Sequence, residues 1–271
     1  MSLGIVINGP EGIVLAADSR ITLVANAPDQ PSIHINFDNA TKLLSFGKSH
    51  NFVSAVTYGN AIIGGRTAHS FMPEFEIFLK DNRMKTEDYA KKLAEFFNMR
   101  WKEAGLTDDT PGITFIVGGY DEKEPYGRVY LIQIPNMLKP EERNPGKQNF
   151  GMTWGGQLNI ASRLIHGWDP ALIPLLQAKL DLDVNKTKEL ADFLRENCES
   201  RIPYNILPLQ DCIDLAAFLV RATIDMQNFG ITVRGVGGVV EIATITRTGA
   251  LKYIQKKKIH GEFSDEMEYN E

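Results

Sequence analysis

Apolar positions along this chain follow two rhythms. Residues 4–7 and 13–17 are short apolar runs on either side of Asn8-Gly9-Pro10-Glu11-Gly12, and a turn-forming cluster between two such runs predicts a strand pair. Residues 42–46 and 52–57 predict a second pair, joined through Gly47-Lys48-Ser49-His50. Residues 25–40 between the pairs are polar and proline-containing, long enough to predict a functional loop rather than a plain connection.

The rhythm then lengthens towards the helical period. Asn60 is placed to cap a helix running towards residue 80, with Pro73 expected to kink or divide it. Thr86 is placed to cap a second helix, with Tyr89, Leu93, Phe96 and Phe97 on one face and Gly105 at its end. Residues 113–119 and 129–134 return to strand character, two or more helices are expected within 157–199, and 209–226 reads as a strong amphipathic helix. Residues 239–246 and 251–254 close the chain as strands. The polar segment 137–148 is expected to be a surface insertion. This order predicts an α+β fold in which sheets pack together with helices outside. One domain is expected over residues 1–255, followed by a charged tail, 256–271.

Composition narrows the function classes. With 271 residues the chain is long enough for one sizeable core, and its apolar share of 43% is ordinary for a globular protein. A net charge of −5 argues against a nucleic-acid surface, which needs a basic patch. The basic run Lys256-Lys257-Lys258 precedes an acidic stretch and reads as a solvated end. Cys198 and Cys212 lie far from any metal-type spacing, which points to a reducing compartment without a disulfide framework or zinc site. Asn8 to Glu11 interrupt the first apolar stretch, and no run approaches membrane-spanning length, so a cytoplasmic protein without a membrane partner is expected. His69 and His166 lack a second ligand at metal spacing, and Gly235, Gly237 and Gly238 lack the strand-then-helix setting of a phosphate loop. No metal or cofactor is expected.

The stretches GIVLAADSRIT, TKLL and AVTYGNA within the first 61 residues resemble the start of proteasome β-type subunits and the related bacterial ATP-dependent peptidase subunits, both N-terminal-nucleophile hydrolases. GGYDEKEPYGRVYLI (118–132) and GGVVEIATITRTGAL (237–251) are similar to the paired middle strands and closing strands of that family. The resemblance implies a four-layer αββα sandwich of two antiparallel sheets flanked by helices. It also implies amide hydrolysis by an N-terminal Thr, Ser or Cys whose own α-amine is the base. An α-amine suits that role because its reference pKa is about 7.7–8.0.

Carried onto this chain, the resemblance makes Ser2 the nucleophile once Met1 is removed, Asp18 and Lys42 its charged partners, and Gly59 the donor to the oxyanion. Arg20, Asp225 and Asn228 take supporting places, Asn228 standing where a serine is usual, and Trp154 falls near another usual serine. Two registers stay open. Counting back from Asp18 puts Ser2 at the nucleophile position, whereas matching residues 3–6 by likeness places it two residues inside, short by about 7 Å of strand rise. The expected function is a peptidase acting on unfolded or peptide substrates in a homo-oligomeric ring, with an ATPase as a further partner. An inactive ring subunit or scaffold and a small-amide acylase are the alternatives. The α-type helix before the first strand is missing, which favours the β-like form.

Overall fold

A computed structural model describes residues 2–25, 32–79, 82–146, 150–231 and 233–258. Two strands, β1 (Leu3–Asn8) and β2 (Ile13–Ala17), form the expected hairpin. Next come β3 (Ile21–Ala25) and β4 (Ile33–Phe37), the short β5 (Leu43–Leu44), β6 (Val53–Gly59), and the two-residue strands β7 (Ile62–Ile63) and β8 (Arg66–Thr67). Helices α1 (Met72–Phe78) and α2 (Thr86–Glu103) precede β9 (Ile113–Gly119), β10 (Arg128–Ile134), β11 (Met137–Glu142) and β12 (Gly151–Gly156). Helices α3 (Asn159–His166), α4 (Leu172–Leu180), α5 (Val184–Cys198) and α6 (Leu209–Phe229) follow, and β13 (Glu241–Ile245) and β14 (Lys252–Gln255) come last. The protein is therefore a mixed α+β fold with six α-helices among the described residues, none of them long and apolar enough to cross a membrane.

Two five-stranded antiparallel sheets carry the core, in the orders β12-β1-β2-β13-β14 and β11-β10-β9-β6-β5. Their central strands are apolar on both faces, and side-chain alternation sends successive residues to different clusters. On β1 and β2, Ile5, Ile7, Val14 and Ala16 pack with Ala216, Leu219 and Val220 of α6. Their neighbours Val6, Ile13 and Leu15 share a separate cluster with Val56, Ile116 and Val129 of the other sheet. The outer face of that second sheet, including Phe115, Val117 and Ile132, meets Tyr89, Leu93 and Phe97 of α2. The Phe97 and Phe115 ring centroids lie 4.6 Å apart, and truncating a fully buried Phe such as Phe97 to Ala costs about 3–5 kcal/mol.

Local chemistry explains where the structure departs from the sequence reading. The helix expected from Asn60 does not form. Gly64 and Gly65 both adopt positive φ, the requirement of a two-residue hairpin turn, and they join β7 to β8 instead. Asn60 caps a turn there, its Oδ1 accepting from the Ile62 N–H at 3.2 Å. The helix starts at Met72, which puts Pro73 in its first turn, where its missing N–H costs nothing. Thr86 opens α2, but the capping carboxylate is Asp121, which accepts from the Thr86 N–H at 2.7 Å and its hydroxyl at 2.8 Å. Part of the stretch read as the loop 25–40 is β4, paired with β3 and exposed along its length. Residues 137–142, read as an insertion, form the edge strand β11, and its lysine, proline and glutamates are residues that edges carry to resist further pairing.

Strand β12, where only Trp154 stood out in the sequence, pairs with the whole of β1. A Cβ on Gly155 would fall 2.1 Å from the Tyr58 ring, so glycine here lets β6 approach β12 closely. That approach brings Gly59 towards the start of β1.

Candidate active site

Asp18 immediately follows β2 and is fully buried. Its carboxylate accepts four hydrogen bonds. Oδ1 takes one from Lys42 Nζ at 2.8 Å and one from the Leu3 N–H at 3.0 Å, while Oδ2 takes those of Arg20 at 3.1 Å and Gly237 at 3.0 Å. One side chain thus ties the start of β1, the exit of β2 and the approach to β13 to a lysine of the other sheet. The loop before β13 is itself held by buried Gln227 of α6, whose Oε1 accepts from the Val236 N–H at 2.9 Å.

Lys42 stands immediately before β5, its carbonyl accepting from the Thr57 N–H at 3.0 Å. Burial pushes its ammonium below the ordinary lysine value, with the charge and hydrogen bond of Asp18 working in the opposite direction. Such a lysine gives up its proton more readily than a surface one, which suits it to proton chemistry or to a focused positive field.

Ser2, Lys42 and Gly59 line one pocket together with Thr41, Thr57, Tyr58, Asn60 and Ala61. The pocket is narrow, ≈ 20 Å³, room for about one water. Gly59 has φ +94, and a Cβ there would fall 2.5 Å from the Gly112 carbonyl oxygen, so no other residue fits without strain. The Asn60 N–H bonds to Gly112 of the β9 side and the Thr57 N–H to Lys42 of the β5 side. By strand alternation the Gly59 N–H lies on the same strand edge as that of Thr57, the β5 side.

The Leu3 carbonyl accepts from the Asp18 N–H at 3.4 Å while the Leu3 N–H donates back to the Asp18 side chain, so Leu3 lies directly across from Asp18. Ser2 is the next residue out, buried in the pocket wall. Its carbonyl accepts from the Gln157 N–H at 2.7 Å. Beside it Gly156 has φ +101, and a Cβ on Gly156 would sit 1.9 Å from the Ser2 carbonyl oxygen. Met1 lies outside the described residues.

The supporting residues divide. Arg20 braces the neighbourhood through Asp38, with Nε 2.5 Å from Oδ1 and Nη2 2.7 Å from Oδ2, and donates from Nη1 to the Arg234 carbonyl at 3.1 Å. This bidentate pairing holds the Asp38 carboxyl below its usual range and the Arg20 guanidinium above its own. Asp225 and Asn228 are exposed on α6, and neither lines the pocket. Trp154 points into the α6-facing cluster, its ring 5.3 Å from that of His166, and the wall beside Ser2 is the Gly156–Gln157 backbone rather than a serine. The run 256–258 is not all solvated, because the Lys257 side chain is only 11% exposed and pairs with Glu241.

Sequence reading missed Asp38, Gly156, Gly237 and Thr57. Thr57 precedes Gly59 by one strand repeat, so both reach the same pocket, and its hydroxyl is buried without a hydrogen-bond partner in the described structure. Alternation along β6 was the signal that could have found it. A second cleft, ≈ 500 Å³, adjoins the first through Ile21, Thr41 and Thr67, with Leu23, Phe37, Ile62 and His69 among its lining residues. Burial pushes the His69 imidazole below its ordinary value. Among the described residues no group of three or more His, Cys, Asp or Glu is placed to hold a metal ion. Compared with known proteins, the chain matches no protein-family model and no curated sequence.

Proposed function

We propose that this protein is an N-terminal-nucleophile amide hydrolase, a peptidase built on a four-layer αββα sandwich. The observation that carries the reading is the convergence of Ser2, Lys42 and Gly59 on one pocket, with Lys42 tied to buried Asp18. After removal of Met1, Ser2 Oγ attacks the amide carbonyl carbon while its proton passes to the residue's own α-amine. Lys42 supplies positive potential that lowers the amine's pKa and favours the alkoxide, and Asp18 holds Lys42 in place. The Gly59 N–H receives the oxyanion. The protonated amine then delivers its proton to the leaving nitrogen as the C–N bond breaks, leaving an ester on Ser2. Water, deprotonated by the same amine, hydrolyses that ester and restores the serine.

The resemblance of residues 12–22, 41–44 and 55–61 to proteasome β-type subunits extends the proposal to a cytoplasmic homo-oligomeric ring that takes unfolded or peptide substrates, with an ATPase partner. A stable monomer by light scattering would remove the ring from it.

The test is the intact mass of the untagged protein before and after incubation with a β-lactone. Loss of the Met1 mass followed by addition of one inhibitor mass, mapped to Ser2, is the expected result. Retained Met1 without an adduct would eliminate the catalytic amine and leave a scaffold. Among competent outcomes, faster turnover of small acyl-amides than of fluorogenic peptides would identify an acylase instead of a peptidase.

A further inference from the structure

A second buried ion pair lies one residue behind the first on each side. Asp18 follows Ala17, and Glu241 of β13 stands opposite Ala17 in the sheet. Lys42 follows Thr41, and Thr41 is touched by Lys257. Lys257 Nζ lies 3.4 Å from Glu241 Oε1 and donates to the Ala40 carbonyl and to Thr41 Oγ1, both at 2.8 Å. From these contacts we infer that Lys257, drawn in by Glu241, is a positioning residue that fixes Thr41 and thereby sets Lys42 against Asp18. The role of Lys42 in turnover rests on the hydrolase reading above; the mechanical coupling does not.

The anchoring of the link between β4 and β5 supports the inference. Ser19 Oγ donates to the Asp38 carbonyl at 2.6 Å, the Ala40 N–H donates to the Ser19 carbonyl at 2.9 Å, and the Thr57 N–H holds the Lys42 carbonyl. Between those anchors, the Ala40 carbonyl and the Thr41 hydroxyl are held by Lys257, which arrives from 216 residues away. Tyr253 reinforces the same contact, its hydroxyl donating to the Leu43 carbonyl at 3.4 Å. Glu241 is fully buried, and neither of its carboxylate oxygens accepts a hydrogen bond in the described structure, so it acts on Lys257 through charge. Among the described residues Lys257 is the one ion-pair partner of Glu241, and a buried carboxylate so held is a poor way to add stability, since an apolar pair would hold the strands as well. What it does provide is a fixed ammonium whose donors reach the two oxygens beside Lys42.

The test follows the Lys42 side chain directly by NMR in protein labelled at lysine Cε, the signal being assigned by its loss in Lys42→Arg. In Lys257→Met the Lys42 signal is expected to move, and Lys257→Arg, which keeps the charge and donors, should return it towards the wild-type position. The maximal rate of β-lactone acylation should fall tenfold or more in Lys257→Met while the half-saturating lactone concentration holds, about the penalty of a small misplacement. A folded Lys257→Met protein with the Lys42 signal unmoved would overturn the inference. If that variant does not fold, Thr41→Val removes one of the two oxygens Lys257 holds and is read in the same way, an unmoved signal again overturning it. A wild-type protein that forms no adduct would defeat the hydrolase reading alone, because the NMR comparison still decides the coupling.

Discussion

Lys42 Nζ and Asp18 Oδ1 meet at 2.8 Å with both side chains withdrawn from solvent, and the contact joins the ends of two different sheets. Removing one member of a buried pair strands the other without compensation, at a cost of about 3–5 kcal/mol. Lys42→Met should therefore lower the unfolding free energy in urea by that order and also abolish acylation of Ser2. A variant as stable as the wild type would mean that solvent or a neighbour replaces the lysine at Asp18.

Gly156 tests the setting of the nucleophile. Alanine there must accept φ +101 and clear a carbonyl oxygen 1.9 Å from its Cβ, so the Ser2 backbone has to move. Strain of this kind costs of order 1–3 kcal/mol. Gly156→Ala should stay folded by circular dichroism but lose at least about tenfold in acylation rate, since small displacements at a reacting centre are expensive. Unchanged acylation would show that the Ser2 position does not depend on this contact.

Thr57→Val probes the pocket without disturbing packing. The hydroxyl has no hydrogen-bond partner in the described structure, so replacing it with a methyl should leave stability unchanged to within about 1 kcal/mol, or raise it slightly. Acylation should slow if the hydroxyl contacts the reacting group or its water. Equal acylation rates in the two proteins would reduce Thr57 to a wall of the pocket.

The Arg20–Asp38 brace has a pH signature. Asp38 titrates below its reference value of 3.8 because the Arg20 guanidinium bonds its carboxylate. A carboxyl whose folded pKa is depressed stabilises the fold above its unfolded pKa, and that contribution disappears as pH falls through the folded value. The stability gap between wild type and Asp38→Asn should thus be open at neutral pH and close as pH drops below 3.8. Denaturation series at several pH values and low salt would measure it; a gap that does not change with pH would show that the brace is not ionic.

Much of the framework was legible because its causes are local. The turn cluster after Asn8 and the apolar runs beside it specify the β1–β2 hairpin, and the spacing of Tyr89, Leu93, Phe96 and Phe97 specifies α2. Misreadings arose where local signals competed. Asn60 offered a plausible cap, but the left-handed turn at Gly64–Gly65 closed a hairpin first. Pro140 and its charged neighbours looked like a loop because an edge strand is polar by necessity.

For the site, the chain brought Ser2 and Asp18 close because a short turn folds β1 back on β2, but it left two registers of Ser2 open until the pairing put Leu3 across from Asp18. Packing set the rest. Gly237 reaches Asp18 across 219 residues, Lys257 reaches Thr41 across 216, and Asp225 and Asn228 end exposed. Such contacts leave no periodicity in the chain. They exist because β13 pairs with β2, which carries Gly237 to Asp18, and because the two sheets share an apolar cluster, beside which Lys257 past β14 meets Thr41 before β5.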